Sequence, residues 1–572
     1  MSIKLMTGAA VATAILAGSL PAAAQSFQDV VEMFYHDEFR AHPIKATDID
    51  VHDYDAEVDD LSRDGQVKNI ARLHKALDEF TAIDSAMLSA GDRDDREMLI
   101  NSIKGKLLDV EMIRYWQKDP NVYVRSATSA VFNLVHRDFA PLADRLRSVI
   151  AREGQIPMLL ATGKANIEHP PRAFVEIAIR NVAGSIDFLK TGAPVAFAAV
   201  EDQQLKREFT ASNDSAIAAF ENYKTYLEQE LKPKADGDFA LGSDLFAKRM
   251  AYNEMVDIPP DRLLDIAYAQ LHKDRDALSE AARKVDPTAP IEAVLKEIRA
   301  QHPTADTLIP TARDELASLR AFVLDHHIAT IPSDLLPEVE ETPGFQRATT
   351  AAAIDPPGPL ERRATQAFYY VTPPEAGLAP DEIEQYLEAY YLPGLLMISA
   401  HEVWPGHFIQ YLTRRAHSDW SLARRMAESY STAEGWAHYT EQMMVEQGLG
   451  DGDPKLKVAQ LEMALLRDCR FIASIEMHTK GKSVDDAIQI FTKECGSPEP
   501  EARREAYRGT RDPGYINYTV GKLEILKLRD DYRAKMGDKF SLIDFHDRLL
   551  AGGLVPIKII RREMMGADGP VL

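Results

Sequence analysis

Apolar residues recur at three- and four-residue spacing along most of the chain. That period predicts amphipathic helices over 67–88, 97–115, 142–153, 204–231, 262–285 and 305–326. Turn signals punctuate them, among them Asp236-Gly237-Asp238 and the Pro259-Pro260 pair ahead of Asp261. No fixed-period repeat is evident. One stretch breaks the pattern: residues 331–380 hold nine of the 32 prolines, a density that no helix survives. Within it, Phe368-Tyr369-Tyr370-Val371-Thr372 is rich in strand-forming residues and is stopped by Pro373-Pro374, so it reads as a short strand. Helical spacing resumes near Asp381 and runs to the end. The expected fold class is mainly α, a large helical body with a small β-sheet. Its parts are a helical region at 25–330, a proline-rich irregular and strand segment at 331–380, and a second helical region at 381–572.

The first 24 residues follow a different pattern. A single charge, Lys4, precedes an apolar run over 5–20, and Pro21-Ala22-Ala23-Ala24 then leads into Gln25. This is the layout of a secretory signal cleaved after Ala24, the other reading being an N-terminal membrane anchor. No cysteine lies near that point, so lipoprotein processing is not expected. The signal places the protein in the periplasm or outside the cell. Beyond it no stretch approaches the ~20 apolar residues of a membrane span, so no integral membrane segment is expected.

Composition narrows the classes. With 572 residues, 45% hydrophobic and 27% charged, the chain is ordinary globular material. Its length suits two to four domain-sized units or one large helical body. Acidic residues outnumber basic ones 89 to 66, for a net charge of −23. Such a surface repels phosphate, which argues against nucleic acid and against charge-driven binding to anionic membranes. Two cysteines, Cys469 and Cys495, are too few for a disulfide scaffold or a thiolate-rich metal protein. An oxidising compartment permits them to pair, and two separate thiols are equally compatible with the sequence. No G-x-S-x-G elbow and no Walker-type phosphate loop occurs.

The chemistry concentrates at His401-Glu402-Val403-Trp404-Pro405-Gly406-His407. A hydrolytic zinc site needs three protein ligands, an open position for water, and a carboxylate to take that water's proton. His-Glu-x-x-His meets part of this need because residues i and i+4 share a helix face. Here the second histidine is at i+6, about 120° off the face of a regular helix. Pro405 cannot donate to the carbonyl of His401, and Gly406 permits unusual backbone angles. A kink or bulge that re-aims His407 is therefore expected. By themselves these residues are also compatible with a packed core His401 and a surface His407. The third ligand should come from a following helix. Glu434, His438 and Glu441 form a polar stripe at i, i+4 and i+7 amid Trp436, Met443 and Met444. Buried carboxylates there would need a cation, although a solvated acidic face would give the same spacing. Glu434 is the chosen ligand, with His438 placed behind the ligands. Zn2+ is the expected ion, though manganese and cobalt accept similar donors.

Taken together, His401-Glu402-x-x-Pro405-Gly406-His407-x-x-Gln410 and Glu434-Gly435-Trp436-Ala437-His438-Tyr439-x-Glu441 resemble the bacterial family called "domain of unknown function 885". The resemblance continues through Arg467-Asp468-Cys469-Arg470, His478, the run from Asp512 to Leu523, and the run from Phe540 to Asp547. Its specific motifs span about 368–550. Members are regarded as zinc-dependent metallopeptidases, similar in layout to the helical thimet-type oligopeptidases and Taq-type carboxypeptidases. This chain departs from the family at Ser474, where many members carry Asp, and from better-known zinc peptidases in its i+6 spacing.

The resemblance implies a site with named roles. His401, His407 and Glu434 would hold zinc, and Glu402 would act as the proton-transferring carboxylate. Tyr518, or failing it His478, would donate to the oxyanion. Arg470 would neutralise a substrate carboxylate or pair with an acidic side chain. A short peptide would lie along an edge strand near Tyr370, in a deep cleft walled by the N-terminal helices. Two other readings stay open: a peptide-binding protein without turnover, and a zinc hydrolase acting on a non-peptide amide or ester.

Overall fold

The computed structural model describes residues 26–347 and 350–572, so the signal segment at 1–24 lies outside the described residues. Helices dominate, as the periodicity predicts. Those used below are α1 (Phe27–Ala41), α2 (Ala90–Leu107), α3 (Pro260–Val285) and α4 (Leu308–Asp325), followed after the proline-rich segment by α5 (Leu392–Glu402), α6 (His407–Ala416), α7 (Tyr430–Glu446), α8 (Pro454–Thr479) and α9 (Asn517–Met536). Their ends follow ordinary capping chemistry. The Ser429 hydroxyl accepts from the Thr432 amide to start α7, and Asp453 caps α8 ahead of Pro454. No described helix is long and apolar enough to cross a membrane.

The proline-rich segment forms a three-stranded sheet of β1 (Glu338–Glu341), β2 (Ala352–Asp355) and β3 (Phe368–Val371), in the order β1-β3-β2. β3 runs parallel to β1 and antiparallel to β2. The 368–372 run therefore supplies the central strand, and both of its edges are occupied. This corrects the expectation of an edge strand near Tyr370. The Tyr370 side chain is buried and stacks on Phe368 with ring centroids 5.6 Å apart, so it does not face a substrate. The exposed edge next to the chemistry belongs to β2. The Thr372 amide donates to Ala351 O, and by strand alternation the amides of Ala352 and Ile354 point away from β3.

Packing follows a division that the helical pattern did not show. One hydrophobic core joins α1, α2, α3, α4 and the sheet to the whole C-terminal region. A second core is built almost entirely from residues within 123–231. Two long contacts frame the chemistry: α3 lies antiparallel along α8, with Asp261 near Lys480 and Tyr268 bonded to Glu476, and α7 lies parallel to α9, with Tyr430 near Tyr518 and Glu446 paired to Arg529. The α7–α9 crossing is close because both helices carry glycine there. A Cβ on Gly435 would stand 2.4 Å from the carbonyl carbon of Gly521. Cys469 of α8 is bridged to Cys495, at the end of the next helix.

Candidate metal centre

α5 ends at Glu402 and α6 begins at His407, so the two histidines lie on separate helices. The sequence suggested a kinked single helix, whereas the chain breaks completely over 403–406. Pro405 removes the amide that would continue the helix, and the peptide bond before it is cis. Gly406 passes so close to the chain behind it that a Cβ would stand 1.7 Å from His401 O. The indole of Trp436 on α7 donates to Pro405 O and Gly406 O, at 2.8 and 3.2 Å, which ties the break to the helix that carries Glu434.

This arrangement brings three donor atoms together. Glu434 Oε2 stands 3.3 Å from His401 Nε2 and 3.2 Å from His407 Nε2. The imidazoles are 4.9 Å apart and nearly perpendicular. Donors held about 2.0–2.1 Å from a tetrahedral zinc ion stand roughly 3.3 Å from one another. Glu434 Oε2 is also buried without a conventional hydrogen bond. Spacing, donor type and an otherwise unsatisfied oxygen all fit a zinc ion.

Groups behind the donors set their orientation. His401 Nδ1 donates to Glu441 Oε1 at 2.7 Å, which turns the lone pair of Nε2 toward Glu434. Glu441 also receives His438 Nδ1 at 3.1 Å and stands 3.2 Å from Arg467 Nη2. Burial would raise the Glu441 carboxyl, but Arg467 and the two imidazoles outweigh it and hold the group ionised, well below its ordinary range. His438 is pushed down to about 3, mainly by burial and then by Lys522, so it is neutral and touches the centre only through Glu441. His407 Nδ1 is 3.5 Å from Gln410 Oε1, and Gln410 in turn donates to Thr432 O at 2.9 Å. Glu441 and Gln410 are the residues to which sequence reasoning gave no role. The polar stripe and the motif contained them, but their partners come from helices distant in sequence.

Glu402 is half-buried, next in sequence to the donor His401 and bonded to β2. The Ile354 amide donates to its Oε2 at 3.0 Å. Burial raises its carboxyl, and the two histidines pull it back only in part. Tyr518 stacks on His401, with centroids 6.2 Å apart and planes 18° from parallel. Its hydroxyl accepts from Arg508 Nη2 at 3.2 Å, and Arg508 also donates to Tyr430 OH at 3.0 Å. Burial and Glu434 raise the phenol, so it stays protonated and can donate.

The remaining expected residues lie elsewhere. His478 is a packed core histidine. Its ring sits against Phe239 and Phe246, Nε2 donates to Gly509 O at 2.8 Å, and burial pushes it down to about 4. Those contacts replace the oxyanion role considered for it. Arg470 forms a two-point ion pair with Glu505, at 2.7 and 2.9 Å, and lies 4.9 Å over the Tyr518 ring. It pairs with an acidic side chain and buttresses Tyr518. A cavity of about 640 Å³ lies close by; none of the three donors lines it, but Tyr411, whose ring is 6.4 Å from that of His407, and Ala433, next to Glu434, do. α1 and α2 line one wall, and Tyr411, Tyr430 and Ala433 line the other.

Solved structures share this fold. A protein described as a candidate lipoprotein of unknown function from Shewanella oneidensis superposes with a TM-score of 0.78 at 25% identity, covering 95% of this chain and 100% of its own. A candidate lipoprotein from Colwellia psychrerythraea gives a TM-score of 0.80 at 17% identity, covering 94% and 98%. No curated protein matches the sequence. The model of one family, described as bacterial protein of unknown function (DUF885), matches residues 43–564, and with nearly its whole length inside that match the chain belongs to this family.

Proposed function

We propose that the protein is an exported zinc-dependent metallopeptidase that hydrolyses short peptides. One observation carries the reading: two imidazole Nε2 atoms face a single orphaned oxygen of Glu434, and Glu402 lies next in sequence to the first imidazole. When bound there, zinc supplies Lewis acidity toward a water and a carbonyl oxygen. Glu402 takes a proton from the attacking water and delivers it to the leaving amine. Its raised affinity for protons suits that exchange. Tyr518 donates its phenolic proton toward the oxyanion, in a pocket where burial strengthens the bond. The main chain of the peptide pairs with the outward edge of β2 at Ala352, beside the Ile354 amide that holds Glu402, which brings the scissile bond toward that carboxylate. The cavity walled by α1 and α2 admits short peptides and excludes folded proteins.

Export is supported by the signal at 1–24, by the Cys469–Cys495 bridge and by the candidate-lipoprotein descriptions of both structural neighbours. The deciding experiment measures metal content alongside product masses from a defined panel of short peptides, with and without a chelator. Chelator-sensitive release of amino acids supports the proposal. Binding without release favours a non-enzymatic peptide-binding protein, and turnover of non-peptide amides or esters alone favours a different hydrolase.

A further inference from the structure

Far from the first centre along the chain, Asp50, His52 and Glu361 present donor atoms within 4.8 Å of one another. His52 Nε2 stands 3.7 Å from Asp50 Oδ1 and 3.9 Å from Glu361 Oε2. Asp50 Oδ2, His52 Nε2 and Glu361 Oε2 are all buried without a hydrogen-bond partner. The carboxylates are only 7% and 3% exposed. Among the described residues no lysine or arginine nitrogen forms an ion pair with either one. Two buried carboxylates thus share a single imidazole, with the guanidiniums of Arg137 and Arg415 acting on them only from beyond ion-pair distance, and buried charge so weakly paired is costly.

The surroundings repeat the logic of the first centre. His52 Nδ1 is 2.9 Å from Asp55 Oδ2, which turns Nε2 toward the two carboxylates. Asp55 is held in turn by the Thr47 hydroxyl at 2.7 Å, and Thr47 by Arg152 at 2.6 Å. The His52 ring is fixed by stacking on Phe139 at 3.9 Å. The other oxygen of Glu361 accepts from the Arg363 amide. Asp50 adopts φ 73°, a left-handed conformation that aspartate visits more readily than most residues other than glycine. At 26% exposure, His52 leaves a path from solvent.

We infer that Asp50, His52 and Glu361 form a second binding site for a divalent transition-metal ion, structural rather than catalytic. The imidazole favours a transition ion over magnesium or calcium, and the two carboxylates balance its charge. Glu361 lies in the connection between β2 and β3, whereas Asp50 and His52 belong to the N-terminal region. The ion would clamp that connection down and so steady β2, whose Ile354 amide holds Glu402. Arg137 anchors the same connection from the N-terminal side by donating to Pro356 O and Gln366 O.

The test is metal stoichiometry in variants of the full-length protein loaded with Zn2+ or Mn2+ alone and then desalted. His401→Ala should retain one ion per chain, and His401→Ala combined with Glu361→Gln should retain none. Glu361→Gln alone should lose one ion relative to the wild type, even if the His401 centre binds no metal, so the two sites fail independently. His401→Ala that holds no ion, or a double variant that still holds one, overturns the inference. Should Glu361→Gln not fold, the His401→Ala protein decides alone. After chelation its melting temperature should rise on addition of Zn2+ or Mn2+, and an unchanged midpoint means that the cluster is an internal ion pair of protonated His52.

Discussion

The Ile354 amide donates to Glu402 Oε2 at 3.0 Å, so the edge of a three-stranded sheet holds the carboxylate that adjoins the donor histidines. A base held in this way has one oxygen committed to the scaffold and the other available for proton transfer. The same bond couples the position of the base to β2, the strand along which a peptide would pair.

Glu402→Gln tests that role. Glutamine keeps the shape and can still accept from Ile354, so the variant should fold and retain its metal. Hydrolysis should fall by roughly 10²–10⁴-fold, the usual contribution of a positioned acid–base group. Metal content and peptide turnover are measured on the same sample. Undiminished turnover would remove Glu402 from the chemistry.

His401→Ala should lose the ion of the first centre, because two donors rarely hold zinc in competition with water. Glu441→Gln should weaken binding by about 10–100-fold without removing a ligand, since it acts through the orientation of His401. Competition with a chromogenic chelator ranks the two. Equal affinity in Glu441→Gln and wild type would leave Glu441 a purely structural group.

Much of this centre was legible in the sequence because its chemistry is local. His401, Glu402 and His407 lie within seven residues, and Pro405-Gly406 announced that the helix could not continue regularly. How completely it breaks was not legible, since the turn is fixed by Trp436, thirty-one residues beyond Pro405. The strand at 368–372 was visible through its aromatic and β-branched residues. Its central position was not, because its neighbours Glu338–Glu341 and Ala352–Asp355 carry little strand propensity. His478 came in through family resemblance, and only packing against Phe239 and Phe246 reveals it as core. The Asp50, His52 and Glu361 cluster joins residues more than 300 positions apart, beyond the reach of any spacing argument.

Tyr518→Phe separates donation from packing. Phenylalanine keeps the stack on His401 and the contact with Arg470, so stability should change little. Removing an oxyanion donor should lower kcat by about 10²–10³-fold with KM nearly constant. Steady-state kinetics on one defined peptide reads the split. A rise in KM at constant kcat would make Tyr518 a binding residue instead.

Gly435→Ala probes the crossing that sets the centre's geometry. The added Cβ would meet the backbone of Gly521, which no rotamer change can relieve. Overpacking of this kind costs about 1–3 kcal/mol. The shift should also separate Glu434 on α7 from Tyr518 on α9. Thermal stability and metal affinity should therefore fall together. A lower melting temperature with unchanged metal affinity would show that the centre tolerates movement of α7.

Stability should depend on pH through acids unrelated to catalysis. Glu153 is fully buried, and desolvation raises its carboxyl from 4.5 to about 8, against a smaller opposing effect of the Ser212 hydroxyl. The folded state keeps a proton that the unfolded chain releases above pH 4.5. This contribution is therefore complete below about pH 4.5 and declines by about 1.4 kcal/mol per pH unit up to about pH 8, where it levels off. Glu153→Gln cannot ionise and should abolish that decline. Relative to wild type, the variant should gain stability steadily between pH 5 and 8, with no further gain above it. Glu315, raised by burial to about 8 and bonded to Ser399 at 2.9 Å, should behave in the same direction. Its amplitude should be smaller because it is only half-buried and water screens its charge. Denaturant melts across this range provide the measurement, and parallel wild-type and Glu153→Gln curves would show that Glu153 is ionised within the fold.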